Sequence, residues 1–224
     1  MTNEQCNSVE QVFSLECQHI YRLKVRNSLS HSNRLGGIMP YGEELLVEEV
    51  LERDCKEPWL EQVLEAYNKP VVLRTAYTEE LLLDRDFYDF EGTAEWNGER
   101  CRIILEGNKG TDSVGEPVLQ TLQDLFENSA EWDKKARAYA ADKLLSLANE
   151  WCDDADDFDE DMDEDSEEMP ISREMFIERL TISNIVISKN GAFDLYYDND
   201  EMFTDHAVTI SGDGKGGFKE ANIQ

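Results

Sequence analysis

From Phe13 to Val25 the odd positions carry Phe, Leu, Cys, His, Tyr, Leu and Val, while the even positions are polar except Ile20. A period of two predicts a half-buried strand, long and bent or broken into two. Ser28 to Gly42, punctuated by Asn33, Gly36, Gly37 and Pro40, reads as a loop. Glu43 to Arg53 gathers Leu46, Val47, Val50 and Leu51 on one face of a predicted helix. A second helix opens on Pro58 and presents Leu60, Val63, Leu64 and Tyr67, until Asn68-Lys69-Pro70 stops it. Val71-Val72-Leu73 is too short to assign.

Phe90 to Leu105 reads as a hairpin, because both residues of a type I′ turn need positive φ and Asn97-Gly98 supplies them. That register pairs Trp96 with Glu99, Ala94 with Cys101, Gly92 with Ile103 and Phe90 with Leu105 on a mainly apolar face. Glu95 and Arg100 meet on the other face as an expected cross-strand ion pair. Pro117 opens a helix carrying Val118, Leu122, Leu125 and Phe126. Ser129 is the expected N-cap of a longer one whose stripe is Trp132, Ala136, Tyr139, Ala140, Leu144, Leu147 and Trp151. This stripe is expected to lie across a sheet. Ser172 caps a short helix with Phe176, Ile177 and Leu180. Asn190-Gly191 then turns Ile182–Lys189 into Ala192–Asp198, and His206–Ser211 adds a last strand.

Between these last helices, residues 153–168 are acidic at every position except Ala155, Phe158, Met162 and Ser166. Such a run repels itself and is expected to be a disordered insert. The predicted class is α+β: an antiparallel sheet, with two Asn-Gly hairpins and a C-terminal strand, and helices on one face. Residues 1–76 form a smaller N-terminal α/β segment, and 77–224 the main domain.

The formal charge is −29 over 224 residues. The acidic run supplies less than half of it, so the acidity belongs to the whole chain. This charge disfavours nucleic acid and anionic membranes and favours a basic protein partner. Five cysteines without CxxC spacing, and a start lacking a basic and then an apolar region, predict a cytoplasmic location with thiols unbridged. No cofactor is expected.

Asp157, Asp159, Asp161, Asp163, Asp165 and Glu168 match the ligand positions of a calcium loop, but Met162 stands where the turn demands glycine. Gly212-Asp-Gly-Lys-Gly-Gly217 satisfies GxGxxG, yet only seven residues follow and no helix can open on a pyrophosphate. Asp198, Asp200, Glu201, Asp205 and His206 could bind a metal or perform acid–base chemistry. No second histidine or cysteine stands at ligand spacing. Cys17 and His19 share the inward face of the first strand. Finally, Gln18 to Gly42 contains no acid, while Arg22, Lys24, Arg26 and Arg34 are cationic. These cations either pair with the protein's own acids, bind an anion or a partner, or dock the acidic run.

Further motifs are Phe90-Glu-Gly-Thr-Ala-Glu-Trp-Asn-Gly98, Glu131-Trp-Asp-Lys-Lys-Ala136 and Phe176-Ile-Glu-Arg-Leu-Thr-Ile182. Phe193-Asp-Leu-Tyr-Tyr-Asp198, Phe203-Thr-Asp-His206-Ala-Val and Ala221-Asn-Ile223 follow. In this order they resemble a family of uncharacterised bacterial proteins, domain of unknown function 2262 (DUF2262), over about residues 84–224. The resemblance implies a bacterial setting and one structural unit, and it carries no activity. The acidic run reads as an expanded family loop, and Asn199 stands where a turn glycine is expected. The leading functional reading is a non-enzymatic interaction module for a basic partner, immunity- or inhibitor-like. The alternatives are a metal-dependent or acid–base enzyme at Asp198, Asp200, Asp205 and His206, and an anion-binding module at Arg22, Lys24 and Arg26.

Overall fold

The computed structural model describes residues 13–27, 45–156, 170–214 and 217–224. The chain divides into two compact units at Lys69/Pro70. In the first, strand β1 (Tyr21–Asn27) pairs antiparallel with β2 (Leu45–Arg53), and helix α1 (Pro58–Asn68) follows. In the second, the strands are β3 (Val72–Leu73), β4 (Leu81–Asp84), β5 (Asp89–Trp96), β6 (Glu99–Glu106), β7 (Thr181–Ile187), β8 (Ala192–Asp198), β9 (Val208–Asp213) and β10 (Gly217–Ile223). Between β6 and β7 run helices α2 (Glu116–Glu127), α3 (Ser129–Asp156) and α4 (Arg173–Arg179). Among the described residues no helix is long and apolar enough to cross a membrane.

The first unit departs from its sequence pattern twice. Phe13 to Ile20 is not strand: Ser14 and Gln18 have φ of 50° and 62°, and Arg53 donates 2.6 and 2.7 Å hydrogen bonds to the carbonyls of Phe13 and Ser14. A side chain, not a neighbouring strand, satisfies that backbone. Cys17 is accordingly exposed, and His19 faces Asp54 instead of a core. The expected helix at 43–53 is strand β2. Its pairing with β1 slips between Arg22 and Leu23 and again between Lys24 and Val25. At each slip β2 carries one residue more than β1, so Val47 and Val50, three apart, both meet the Leu23/Val25 face. Two bulges thus convert a strand's period of two into an apparent helical spacing.

The second unit is an eight-stranded sheet ordered β10-β9-β8-β7-β6-β5-β4-β3. All neighbours are antiparallel except β6 and β7, which run parallel in the middle. Such a pair needs a long crossover, and here the three helices supply it. One alternate set of strand residues, including Phe90, Ile103, Ile185, Leu195 and Ile210, forms a single core with Val118, Leu122 and Leu125 of α2, Ala136, Ala140 and Leu144 of α3, and Phe176 of α4. The helices therefore cover one face. Trp132 of the α3 stripe packs edge-on against Phe193 of β8 and Phe218 of β10, at 5.4 and 5.5 Å between ring centroids.

β5 and β6 pair in the register Trp96↔Glu99 to Asp89↔Glu106, around Asn97 (φ 51°) and Gly98 (φ 85°). Arg100, opposite Glu95, makes its ion pair with Glu79 at 3.2 Å. The turn after β7 is of another kind. Gly191 alone is left-handed, its amide donating to Ser188 O at 2.8 Å, and the Asn190 carboxamide accepts from the Ala192 amide. This is a type I turn closed by a glycine bulge. Ser129 does not cap α3; its hydroxyl donates to Asn97 Oδ1 at 2.8 Å, while Asn128 O accepts from the Glu131 and Trp132 amides. Ser172 does cap α4, accepting from the Met175 amide. The GxGxxG stretch joins antiparallel β9 to β10, a strand the sequence pattern did not reveal. The acidic run begins inside α3, which continues to Asp156; residues 157–169 lie outside the described part.

Candidate functional site

The turn between β8 and β9 holds Asp200, Glu201, Asp205 and His206 of the acidic and histidine cluster that begins at Asp198. Asn199 is buried and organises it. Its Nδ2 donates to the His206 carbonyl and its Oδ1 accepts from the Phe203 amide at 2.8 Å. A glycine here would lose both bonds, which accounts for the asparagine. Within this bracket Asp200, Glu201 and Thr204 adopt φ of 50°, 64° and 54°. Left-handed backbone costs of order 1 kcal/mol or more at each such residue, a cost the bracket offsets. Met202 and Phe203 turn into the core, Phe203 packing on Phe176 and Trp151.

The turn separates its polar groups. Asp198 is exposed at the end of β8, opposite Thr181. Asp200 points towards Arg179, 3.8 Å away, and with Met175, Glu178, Arg179 and Thr181 lines an open depression of about 380 Å³. Asp205 and His206 lie in the second half of the turn. His206 Nδ1 is 3.4 Å from Asp205 and 3.2 Å from Phe203 O, with its ring edge-on to Trp151. Among the described residues no group of three or more His, Cys, Asp or Glu could hold a metal ion.

The cations of β1 meet the acids of β2: Arg22 lies 2.6 Å from Glu52, and Lys24 and Arg26 lie 3.3 and 3.2 Å from Glu48. Arg34 falls outside the described residues. His19 Nδ1 lies 2.6 Å from Asp54, and that hydrogen bond raises the imidazole pKa. Burial pushes the Cys101 thiol up to about 11, so it behaves as a small core residue.

Periodicity gives no hint of a polar constellation centred on Asp133. Asp133 on α3 accepts from Trp96 Nε1 (3.1 Å) and the Tyr197 hydroxyl (2.9 Å) on one oxygen, and from Arg137 Nε (2.8 Å) on the other. Arg137 lies over the Tyr197 ring and also donates to the carbonyls of Leu180 and Ile177 at the end of α4. Glu99 completes the ring, 3.5 Å from Arg137 and accepting from the Ile182 amide. Burial drives the Tyr197 hydroxyl well above its ordinary pKa, reinforced by the Asp133 charge and the hydrogen bond to it. Burial opposes the Arg137 charge, but Asp133 outweighs it and keeps the guanidinium protonated. Trp96 and Tyr197 are fully buried with their donors met by Asp133, while the Glu99 side chain is partly exposed at the edge of the ring. The arrangement is a clasp joining the β5–β6 hairpin, α3, α4 and the β7–β8 pair.

Residues 78–223 match the family model described as an uncharacterised protein conserved in bacteria, DUF2262. The chain belongs to the DUF2262 family. Residues 1–67 match a second family model, domain of unknown function DUF7021. No curated protein and no solved structure is a significant match. In this DUF2262 domain the motifs that carry the likeness converge on one place. Trp96, Asp133, Leu180, Ile182 and Tyr197 come from four separate motifs and all meet in the clasp. Phe203 of the closing segment packs beside it on Phe176. Sequence proximity could not have signalled this, because Trp96, Leu180, Ile182 and Tyr197 meet partners 37 to 83 residues away.

Proposed function

We propose that the chain is a non-catalytic binding module of the cytoplasm that engages a basic protein partner through its acidic surface, in the manner of an immunity protein or inhibitor. The observation that carries this reading is the charge of −29 together with the fate of the cations. Arg22, Lys24, Arg26, Arg74, Arg100, Arg102, Arg173 and Lys219 each lie within 4 Å of one of the chain's own carboxylates. Surplus acids therefore set the field around the molecule, and such a field accelerates encounter with a positive partner and weakens with salt. The same pairing favours this reading over anion binding at Arg22, Lys24 and Arg26.

The test is affinity capture from a bacterial lysate with the full chain at low ionic strength, followed by binding measurements on the purified candidate. A stoichiometric basic protein whose affinity falls as salt rises supports the reading. Recovery of no protein at low salt, or of one whose binding is indifferent to salt, overturns it.

A further inference from the structure

Where β4, β5 and β6 lie side by side at one end of the sheet, Asp84, Asp89 and Glu106 stand opposite one another in register. Their neighbours Phe90 and Leu105 are buried in the core, so these three carboxylates stand abreast on the face away from the helices. Directly opposed side chains on antiparallel strands are about 5 Å apart, and like charges there repel. Two members of the row have their charge answered. Asp84 Oδ1 accepts from the amides of Asp86 and Phe87 at 2.8 and 3.3 Å. Glu106 accepts from the Lys189 amide at 3.0 Å and lies 3.4 Å from the Lys189 ammonium. Glu91, next along the same face, is held by Arg102.

Asp89, in the middle, differs: its Oδ1 is buried and has no hydrogen-bond partner. The charged groups around it are Asp84 on β4, Glu91 on β5, Glu106 on β6 and Lys189 beyond Glu106, with Arg85 in the preceding turn held 3.1 Å from Asp112. Burial, the charge of Glu106 and those of Glu91 and Asp84 raise the Asp89 carboxyl, against a smaller opposing contribution from the Gly107 amide. These three carboxylates form no metal-holding group. What the row lacks is one donor, and a single proton supplies it.

The turn over residues 107–114 depends on this corner. Gly107 donates to Tyr88 O at 2.9 Å and pairs with Val114, and Asn108 donates to Ser113 O. A Cβ on Gly107 would lie 2.3 Å from Tyr88 O, so the turn seats tightly beside Asp89. We propose that Asp89 is the proton-binding element of a pH-sensitive latch: protonated, it lets the β4–β6 end and the 107–114 turn close together, and ionised, it drives them apart. The folded state holds the proton more tightly than the unfolded chain. The stabilisation is therefore complete below the ordinary aspartate range and is lost as pH rises through the higher, folded value.

The experiment uses the full chain. The Asp89 carboxyl is titrated by ¹³C NMR, and amide exchange over residues 84–91 and 106–114 is followed with pH, corrected for intrinsic rates, in wild type, Asp89→Asn and the control Glu95→Gln. Asp89 is expected to ionise above the ordinary aspartate range. Protection over 106–114 should then fall by up to about tenfold for each pKa unit of displacement. Asp89→Asn should hold protection constant across that window, while Glu95→Gln follows wild type. An Asp89 carboxyl titrating at the ordinary aspartate value overturns the proposal, and so does an unchanged exchange profile in Asp89→Asn. The wild-type titration decides the matter even if the variant folds poorly.

Discussion

Replacing Asp133 by alanine takes the shared acceptor from Trp96, Tyr197 and Arg137 and leaves the guanidinium, at a largely buried site, with Glu99 at 3.5 Å as its remaining carboxylate. Breaking such a pair costs on the order of 3–5 kcal/mol, and denaturant unfolding should register a loss of that size. Asp133→Asn, which keeps the shape but not the charge, should lose less. His19 provides a second test at this scale. Its pKa is raised chiefly by the hydrogen bond to Asp54, so the pair is strongest with the imidazole protonated and weakens as pH rises through the raised value. An NMR titration should place His19 above ordinary histidine and lower it in Asp54→Asn. Neither role is legible in the sequence. Asp133 reads only as an acid in the first turns of a helix, and His19 as an inward residue of a strand that does not form. Both acquire their meaning from partners far along the chain, Tyr197 in one case and Asp54 in the other.

Elements whose cues are local are the ones the sequence discloses. The Asn97-Gly98 turn, Pro58 and Pro117 at helix starts, and the Ser172 cap each carry their geometry within a few residues. Strand β2 is not disclosed, because its bulges are answered only by the register of β1. β10 is hidden for a similar reason: Gly217–Ile223 becomes strand by pairing with β9 and not by its own pattern. At this scale the acidic run also becomes testable. Asn149 donates to Ile171 O at 3.3 Å and accepts from Ile171 N at 2.7 Å, pinning the chain on both sides of residues 157–169. Loop-closure entropy varies slowly with length, so replacing 157–169 by a short Gly/Ser linker should alter stability by no more than about 1 kcal/mol. Asn149→Ala, which leaves the Ile171 amide without its acceptor, should cost about 1–3 kcal/mol. Thermal melts of the two variants make the comparison.

Across the whole molecule, the buried core joining sheet and helices lies entirely in the second unit. A chain limited to Pro70–Gln224 should therefore melt as one cooperative transition, with calorimetric and van't Hoff enthalpies in agreement. The surplus of like charge predicts a melting temperature for the full chain that rises with added salt, as screening relieves self-repulsion. The parallel seam between β6 and β7 has a further consequence, for the time course of folding. Each hairpin flanking it, β5–β6 and β7–β8, closes over a short span of chain, but the seam waits for everything from residue 107 to residue 180 to be gathered. Contacts between distant residues form slowly because the intervening chain must first lose its freedom. In pulse-labelled refolding the amides within each hairpin should gain protection before those bonded across the β6–β7 seam, so the middle of the sheet is the last part of it to be sealed.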